Sequence, residues 1–153
     1  MQVCLDEIDF APERTKDGFS SGGELYFTID DEFFPEEHWY DYAYLDLKLW
    51  LPRICSFGSN HTDSCELSFM DGPYSIRLNR REDGSVCVNC LRNSITIISR
   101  QNVNLLYLFK SLLSCCRKYD RFLHENQKEP QFREEIILLN KLLDTIYVGE
   151  PYV

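Results

Sequence analysis

Four short runs of strand-forming residues, separated by compact turn signals, constrain the fold of this chain more than any other feature of its sequence. Glycine after aspartate favours a tight hairpin, because glycine adopts a positive φ without steric cost. The pattern therefore predicts an antiparallel meander of three or four strands. The runs are Cys65–Met70, Tyr74–Arg80, Ser85–Leu91 and Ser94–Ser99, and the turn signals between them are Asp71-Gly72-Pro73, Glu82-Asp83-Gly84 and Arg92-Asn93.

Two amphipathic segments follow the meander. Apolar residues recur at helical spacing in residues 101–118 and again in residues 130–147. Pro130 suits the first helical position, and Glu134 and Glu135 complement the helix dipole in the first turn. The sheet and the helices must each bury an apolar face. We therefore expect an α+β fold, with helices packed on one side of a mostly antiparallel sheet.

The first third of the chain gives weaker signals. Residues 1–9 and 24–30 have strand composition and predict N-terminal strands joined by a loop. Residues 42–57 fit either an alternating strand or a helix, and Pro52 suits the interior of neither. We favour a helix after Asp41. A length of 153 residues predicts a single α+β domain over residues 1–153.

The N-terminus and the cysteines indicate a reducing compartment. The first residues lack the basic and apolar regions of a secretory signal, and no apolar run is long enough to span a bilayer. The cysteine count is seven, an odd number scattered through apolar segments, which is not typical of a disulfide framework. We therefore expect a cytoplasmic protein.

Cys87-x-x-Cys90 is half of a zinc site or a thiol redox pair by spacing alone. A zinc site needs a second ligand pair, and the adjacent Cys115 and Cys116 are poorly spaced to supply it. Residues three apart in a strand also point to opposite faces. The sequence favours buried apolar roles for Cys87 and Cys90, with a metal or redox role as the alternative.

Acidic side chains are concentrated at the N-terminal end. Residues 1–50 hold 13 acidic and three basic side chains, whereas the remaining residues hold 12 and 13. The formal charge of the whole chain is −9. Phosphate backbones and anionic lipids repel such a chain, so we expect neither nucleic acid nor a membrane surface as its partner.

Within this region, residues 30–41 combine six carboxylates with large aromatic rings and contain no Lys or Arg. Clustered carboxylates attract a basic protein and speed the encounter, while aromatic side chains supply anchors. The segment thus predicts a docking surface for a basic protein partner. Its charges are Asp30, Asp31, Glu32, Glu36, Glu37 and Asp41, and its anchors are Trp39 and Tyr40.

Two other interpretations of this segment stay open. It could be a solvated acidic loop with two aromatic rings in the core. It could also bind a hard cation, although its spacing lacks the Asp-x-Asp-x-Asp-Gly pattern of a calcium loop. We predict no metal and no cofactor.

No nucleotide-binding, hydrolase or metalloprotease motif occurs in the chain, so the sequence favours a protein that is not an enzyme. The rival hypothesis is a small enzyme or ligand-binding protein. Its pocket would lie between the sheet and the helices and would include Asp71, Tyr74, Arg77 and His38. A third option is a structural or homo-oligomeric protein, which would expose a large apolar patch.

A set of motifs over residues 34–74 resembles small uncharacterised bacterial proteins. In size, acidity and α+β layout the chain is also similar to immunity proteins of bacterial polymorphic-toxin and contact-dependent inhibition systems. This resemblance implies a cytoplasmic inhibitor that binds and neutralises a cognate toxin, often a nuclease, and it supplies no catalytic residues. The motifs are Phe34-Pro35, Trp39-x-Asp41, Trp50 and Phe69-Met70-Asp71-Gly72-Pro73-Tyr74.

Overall fold

A computed structural model describes residues 1–10 and 21–149. This part of the chain forms three helices and two four-stranded antiparallel sheets, which confirms the α+β fold. The N-terminal strands form a sheet of their own, whereas the sequence indicated additions to the meander. Most of the loop predicted between the first two strands lies outside the described residues.

The first sheet is built around its second strand. That strand pairs with all three others, and it begins at Ser21, three residues earlier than the sequence indicated. Leu25, Phe27 and Ile29 face the core, and the alternate residues face outwards, as period-two alternation requires. The strands are β1 (Gln2–Phe10), β2 (Ser21–Ile29), β3 (Glu32–Phe34) and β4 (Tyr40–Asp41).

The second sheet is the predicted meander, with its strands in sequential order. Leu67, Ile76 and Cys90 lie opposite one another on neighbouring strands and are buried together on one face. The strands are β5 (Ser64–Ser68), β6 (Tyr74–Arg80), β7 (Val86–Arg92) and β8 (Ile95–Arg100).

A helix follows Asp41, as favoured from the sequence, and this helix, α1, spans Ala43–Gly58. Leu47, Trp50 and Ile54 are buried on one side of it, whereas Leu45 and Leu49 are exposed. The apparent alternation of leucines therefore did not reflect a strand. Pro52 lies on the exposed side of the helix.

The last two helices are α2 (Leu105–Glu125) and α3 (Arg133–Gly149). The predicted start of the last helix at Pro130 is wrong, because the helix begins three residues later. A carboxylate from α2 explains this. Asp120 Oδ1 accepts hydrogen bonds from the backbone N–H groups of Gln131 at 2.7 Å and Phe132 at 3.2 Å, which fixes the two residues that precede the helix.

One hydrophobic core connects both sheets and all three helices. The Trp50 ring of α1 lies 5.4 Å from the Phe27 ring of the first sheet and 5.0 Å from the Phe69 ring beside the second. Helix α1 therefore holds the two sheets together. Among the described residues, no helix combines the length and the apolar character that crossing a bilayer requires.

Candidate protein-docking surface

The structure divides the predicted acidic segment into two groups. Asp30, Asp31 and Glu32 form the turn between β2 and β3, which we call the acidic turn. Glu36, Glu37 and His38 form the loop between β3 and β4. His38 contacts Glu24, which lies near the start of β2, whereas the acidic turn follows Ile29, the last residue of β2. At about 3.3 Å per residue, six residues of strand separate the two groups by about 20 Å.

Arg100, at the end of β8, partly neutralises the acidic turn. Its Nε lies 2.8 Å from Asp30 Oδ2, and its Nη2 also contacts Glu32 Oε2. The hydrogen bond to Asp30 and the charges of both carboxylates raise the pKa of the Arg100 guanidinium. The exposed Asp31 has no ion-pair partner among the described residues. The turn therefore keeps a net negative charge while being fixed to the second sheet.

His38 organises the second acidic group. It adopts the left-handed conformation, with φ 61°. Its Nδ1 lies 2.8 Å from Glu24 Oε2, and its Nε2 lies 3.5 Å from Glu37 Oε1. The hydrogen bond to Glu24, with the charges of Glu24, Glu37 and Asp6, raises the pKa of His38.

An aromatic row runs across the outer face of the first sheet beside this group. The His38 ring lies 5.7 Å from Tyr26, and Tyr26 lies 6.0 Å from Phe33, both in edge-to-face arrangements. Tyr26 is buried beneath these neighbours, whereas the Phe33 ring is 42% exposed. We define the outer face as Asp6, Glu24, Tyr26, Phe33, Glu37 and His38.

The two predicted anchors differ in their surroundings. Trp39 is half-buried: its Nε1 donates to Asp41 Oδ2 at 2.9 Å, and its ring packs edge-on against Tyr74 at 5.1 Å. Tyr40 is 48% exposed and donates its hydroxyl to Asp9 Oδ1 at 2.6 Å. This hydrogen bond raises the pKa of Tyr40 to about 12. Trp39 thus packs within the fold, and Tyr40 is the anchor with an open ring face.

Asp41 is not a surface charge, and this expectation is corrected. Its side chain is 1% exposed. Its carboxylate accepts hydrogen bonds from the backbone N–H of Tyr42 at 2.7 Å and of Asp71 at 3.2 Å, besides the Trp39 indole. These bonds fix the entry into α1 and the loop that follows β5. Because this carboxylate is buried among the N–H groups that it binds, it cannot contact a partner protein.

Sequence reasoning missed four residues of the outer face, Asp6, Glu24, Tyr26 and Phe33, and assigned His38 only to the rival pocket. Asp6 lies opposite Glu24 across β1 and β2, and Phe33 lies opposite Thr28 across β2 and β3. The signal for Phe33 was the pair Phe33-Phe34, because neighbouring strand residues point to opposite faces. Strand register, which places Asp6 beside Glu24, has no comparable local signal.

The rival pocket is not assembled in the structure. Tyr74 lies on the face of β6 that carries Ile76, packed against Phe34 and Trp39, whereas Arg77 points the other way and pairs with Glu66. The Asp71 backbone is held by Asp41, and His38 contacts Glu24. These four side chains therefore do not converge.

Cys87 and Cys90 likewise lie on opposite faces of β7, since Cys87 pairs with Asn79 and Cys90 with Ile76. Both are buried free thiols, and burial raises the pKa of Cys90 to about 12. Within residues 1–10 and 21–149, no group of three or more Cys, His, Asp or Glu side chains is placed to hold a metal ion.

No family model, curated protein or solved structure matches the chain.

Proposed function

We propose that this protein is a non-catalytic binding module, and that the outer face of its first sheet binds a basic protein. One observation carries this proposal: the exposed Phe33 ring ends an aromatic row whose other end, His38, contacts Glu24 and Glu37. An exposed aromatic side chain on a face that also carries carboxylates combines an anchor with a steering field.

The partner that best fits this surface is a toxin that acts on nucleic acid, with the chain as its immunity-type inhibitor in the cytoplasm. A nuclease needs a cationic surface to hold phosphates. Carboxylates can occupy the same cationic groups in place of phosphates, and the inhibitor then needs no catalytic residue. The similarity to immunity proteins in size, acidity and α+β layout supports this choice.

Glu36 and Glu37 provide the sharpest test. Both are exposed, and the only side-chain ion pair that involves either of them in the described part of the chain is the 3.5 Å contact of Glu37 with His38. Glu36→Lys with Glu37→Lys should reduce the association rate about tenfold or more at low salt, because the steering field is lost. Phe33→Ala should instead accelerate dissociation, because it removes an anchor.

The experiment compares extracts of the native host passed over the wild-type chain and over both variants. A basic protein retained by the wild type is identified by mass spectrometry, purified, and measured by surface plasmon resonance at two salt concentrations. The matched control is Glu125→Lys with Asp144→Lys, which changes the net charge equally at exposed positions of α2 and α3.

We expect the control variant to bind like the wild type. Equal losses of association rate in the control and in the Glu36/Glu37 variant would show that overall charge alone causes the effect. That result would contradict a defined docking face. Co-expression with the identified partner, if it is toxic, should protect cells with the wild-type chain and less with the Phe33→Ala variant.

A further inference from the structure

The fold covers most of its sheet edges and leaves one open. The outer edge of β1 is bound by α2, where Ser111 Oγ accepts from Val3 N–H at 2.9 Å and Lys118 donates to Leu5 O. The outer edge of β5 is bound by α1, where Arg53 donates to Glu66 O at 3.1 Å. Strands β3 and β4 are only three and two residues long.

The open edge is β8. It is six residues long, and no described side chain from another element forms a hydrogen bond to its backbone. An edge strand presents unpaired N–H and C=O groups along its outer side, which another strand can bind. Folded proteins usually protect such edges with lysine, proline, a β-bulge or a covering element; residues 95–100 contain neither lysine nor proline, and one bulge is the only such device on β8 within the described part of the chain.

The side chains of β8 are also unusually apolar for an exposed strand. Ile95 is 68% exposed and Ile97 is 52% exposed. The register shift between Cys90 and Leu91 leaves Ile97 as the extra residue of β8, with no partner on β7. Two β-branched side chains on an open edge favour strand pairing. They also gain free energy when a partner removes them from water.

We propose that β8 pairs with β8 of a second copy of this chain in antiparallel orientation, so that the two meanders form one eight-stranded sheet across a two-fold axis. Charge complementarity selects this occupant. The exposed Arg92 lies at the hairpin end of β8, opposite Ile95, with its guanidinium 5.9 Å from the Tyr74 ring centre, and the acidic turn is bound to Arg100 at the other end.

Antiparallel pairing brings the hairpin end of one copy to the Arg100 end of the other. The second copy's Arg92 then approaches the acidic turn, where Asp30 and Glu32 share the guanidinium of Arg100 and Asp31 has no ion-pair partner among the described residues. Two-fold symmetry repeats the same contact on the other side, as an isologous interface requires. The dimer uses neither Phe33 nor Glu37, so it stands independently of the proposed docking face.

Sedimentation velocity over concentrations from about 1 to 500 µM tests the pairing, because a self-association follows mass action. The wild type should shift from the 18.1 kDa mass of one chain towards twice that value. Ile97→Lys should weaken the dimer about tenfold or more, because a lysine on an edge strand opposes pairing. Ile137→Lys is the matched control, since Ile137 is 54% exposed on α3, and it should dimerise like the wild type.

A charge exchange tests the orientation and does not depend on Ile97. Arg92→Glu should weaken the dimer, and Arg92→Glu with Asp31→Lys in one chain should restore it. Any of three results would overturn the proposal. The wild type could stay at the mass of one chain at every concentration, the Ile97→Lys variant could dimerise like the wild type, or the charge exchange could fail to restore the dimer. Binding of a different protein's strand to β8 in place of the second copy would overturn it as well.

Discussion

Two buried carboxyl groups, Asp41 and Asp46, illustrate how single residues determine the local structure. Asp41 accepts from three N–H donors, as described above, whereas Asp46 Oδ1 accepts from Met70 N–H at 3.0 Å and its Oδ2 is buried without a hydrogen-bond partner. Burial, followed by the nearby Asp41 carboxylate, raises the pKa of Asp46 to about 9. At neutral pH Asp46 is therefore protonated, which relieves the repulsion between the two groups.

This pair predicts a specific pH dependence. Between the unfolded pKa of 3.8 and about 9, folded Asp46 holds a proton that the unfolded chain has lost. The free energy of unfolding should therefore fall as the pH rises through this window. Asp46→Asn mimics the protonated form and should flatten the fall between roughly pH 5 and pH 8 in urea unfolding experiments.

Asp41→Asn provides the contrasting variant. It replaces one acceptor oxygen with a donor and should lower the free energy of unfolding by about 1–3 kcal/mol at both pH values. An Asp46→Asn variant whose stability depends on pH as steeply as that of the wild type would contradict the assignment of the proton to Asp46.

At the same scale, the sequence predicted the chemistry of the acidic segment better than its placement. Asp31, Glu36 and Glu37 are exposed, as expected. The carboxylate of Asp41 accepts hydrogen bonds from two neighbours in sequence, the Trp39 indole and the backbone N–H of Tyr42 just before α1. Its oxygens therefore bind groups within the fold. Composition cannot distinguish these cases, because the donors that bury Asp41 include Asp71, 30 residues away.

At the scale of elements, α3 depends on a carboxylate that belongs to another helix. Its N-cap position is occupied by the buried Phe132, whose side chain cannot accept a hydrogen bond, and the first helical bond runs from Ile136 N–H to Phe132 O. Asp120 of α2 instead binds the backbone N–H groups of Gln131 and Phe132, the two residues before the helix. Local sequence signals at Pro130 and Glu134 could not reveal this, because Asp120 lies 11 residues before Gln131.

Asp120→Ala should therefore lower the free energy of unfolding by about 1–3 kcal/mol, because it leaves two part-buried backbone N–H groups without their acceptor. Asp120→Asn keeps one acceptor oxygen and should cost less. Asp144→Ala, at an exposed position of α3, is the control and should change stability by no more than about 0.5 kcal/mol. Urea unfolding monitored by circular dichroism measures all three, and equal values for Asp120→Ala and Asp144→Ala would contradict the stabilising role of Asp120.

At the scale of the whole molecule, the number of sheets was the least predictable property. The meander strands follow one another with short turns, so local turn signals were sufficient to predict them. The first sheet depends on contacts between distant segments, because Val3 pairs with Phe27 and α2 binds the edge of β1 from more than 100 residues away. The separation of the sheets follows from α1, whose Trp50 contacts both.

The buried thiols test whether these parts unfold together. Six of the seven cysteines are buried, and Cys4 is half-buried. Burial raises the pKa of Cys65 to about 11 and of Cys115 to about 12, so the reactive thiolate is scarce in the folded state. We expect Ellman's reagent to react in the folded protein chiefly at Cys4, with Cys4→Ser as the control, and with all seven thiols after unfolding.

The slow reaction of the remaining thiols then reports on cooperativity. They are distributed over α1, β5, β7 and α2, and therefore sample most of the common core. If that core opens as one unit, peptide mapping should give the same labelling rate at each buried site under conditions where reaction follows unfolding. Faster labelling of Cys65, Cys87 and Cys90 than of Cys115 and Cys116 would mean that the second sheet opens separately. In that case Trp50 would not hold the two sheets as a single domain.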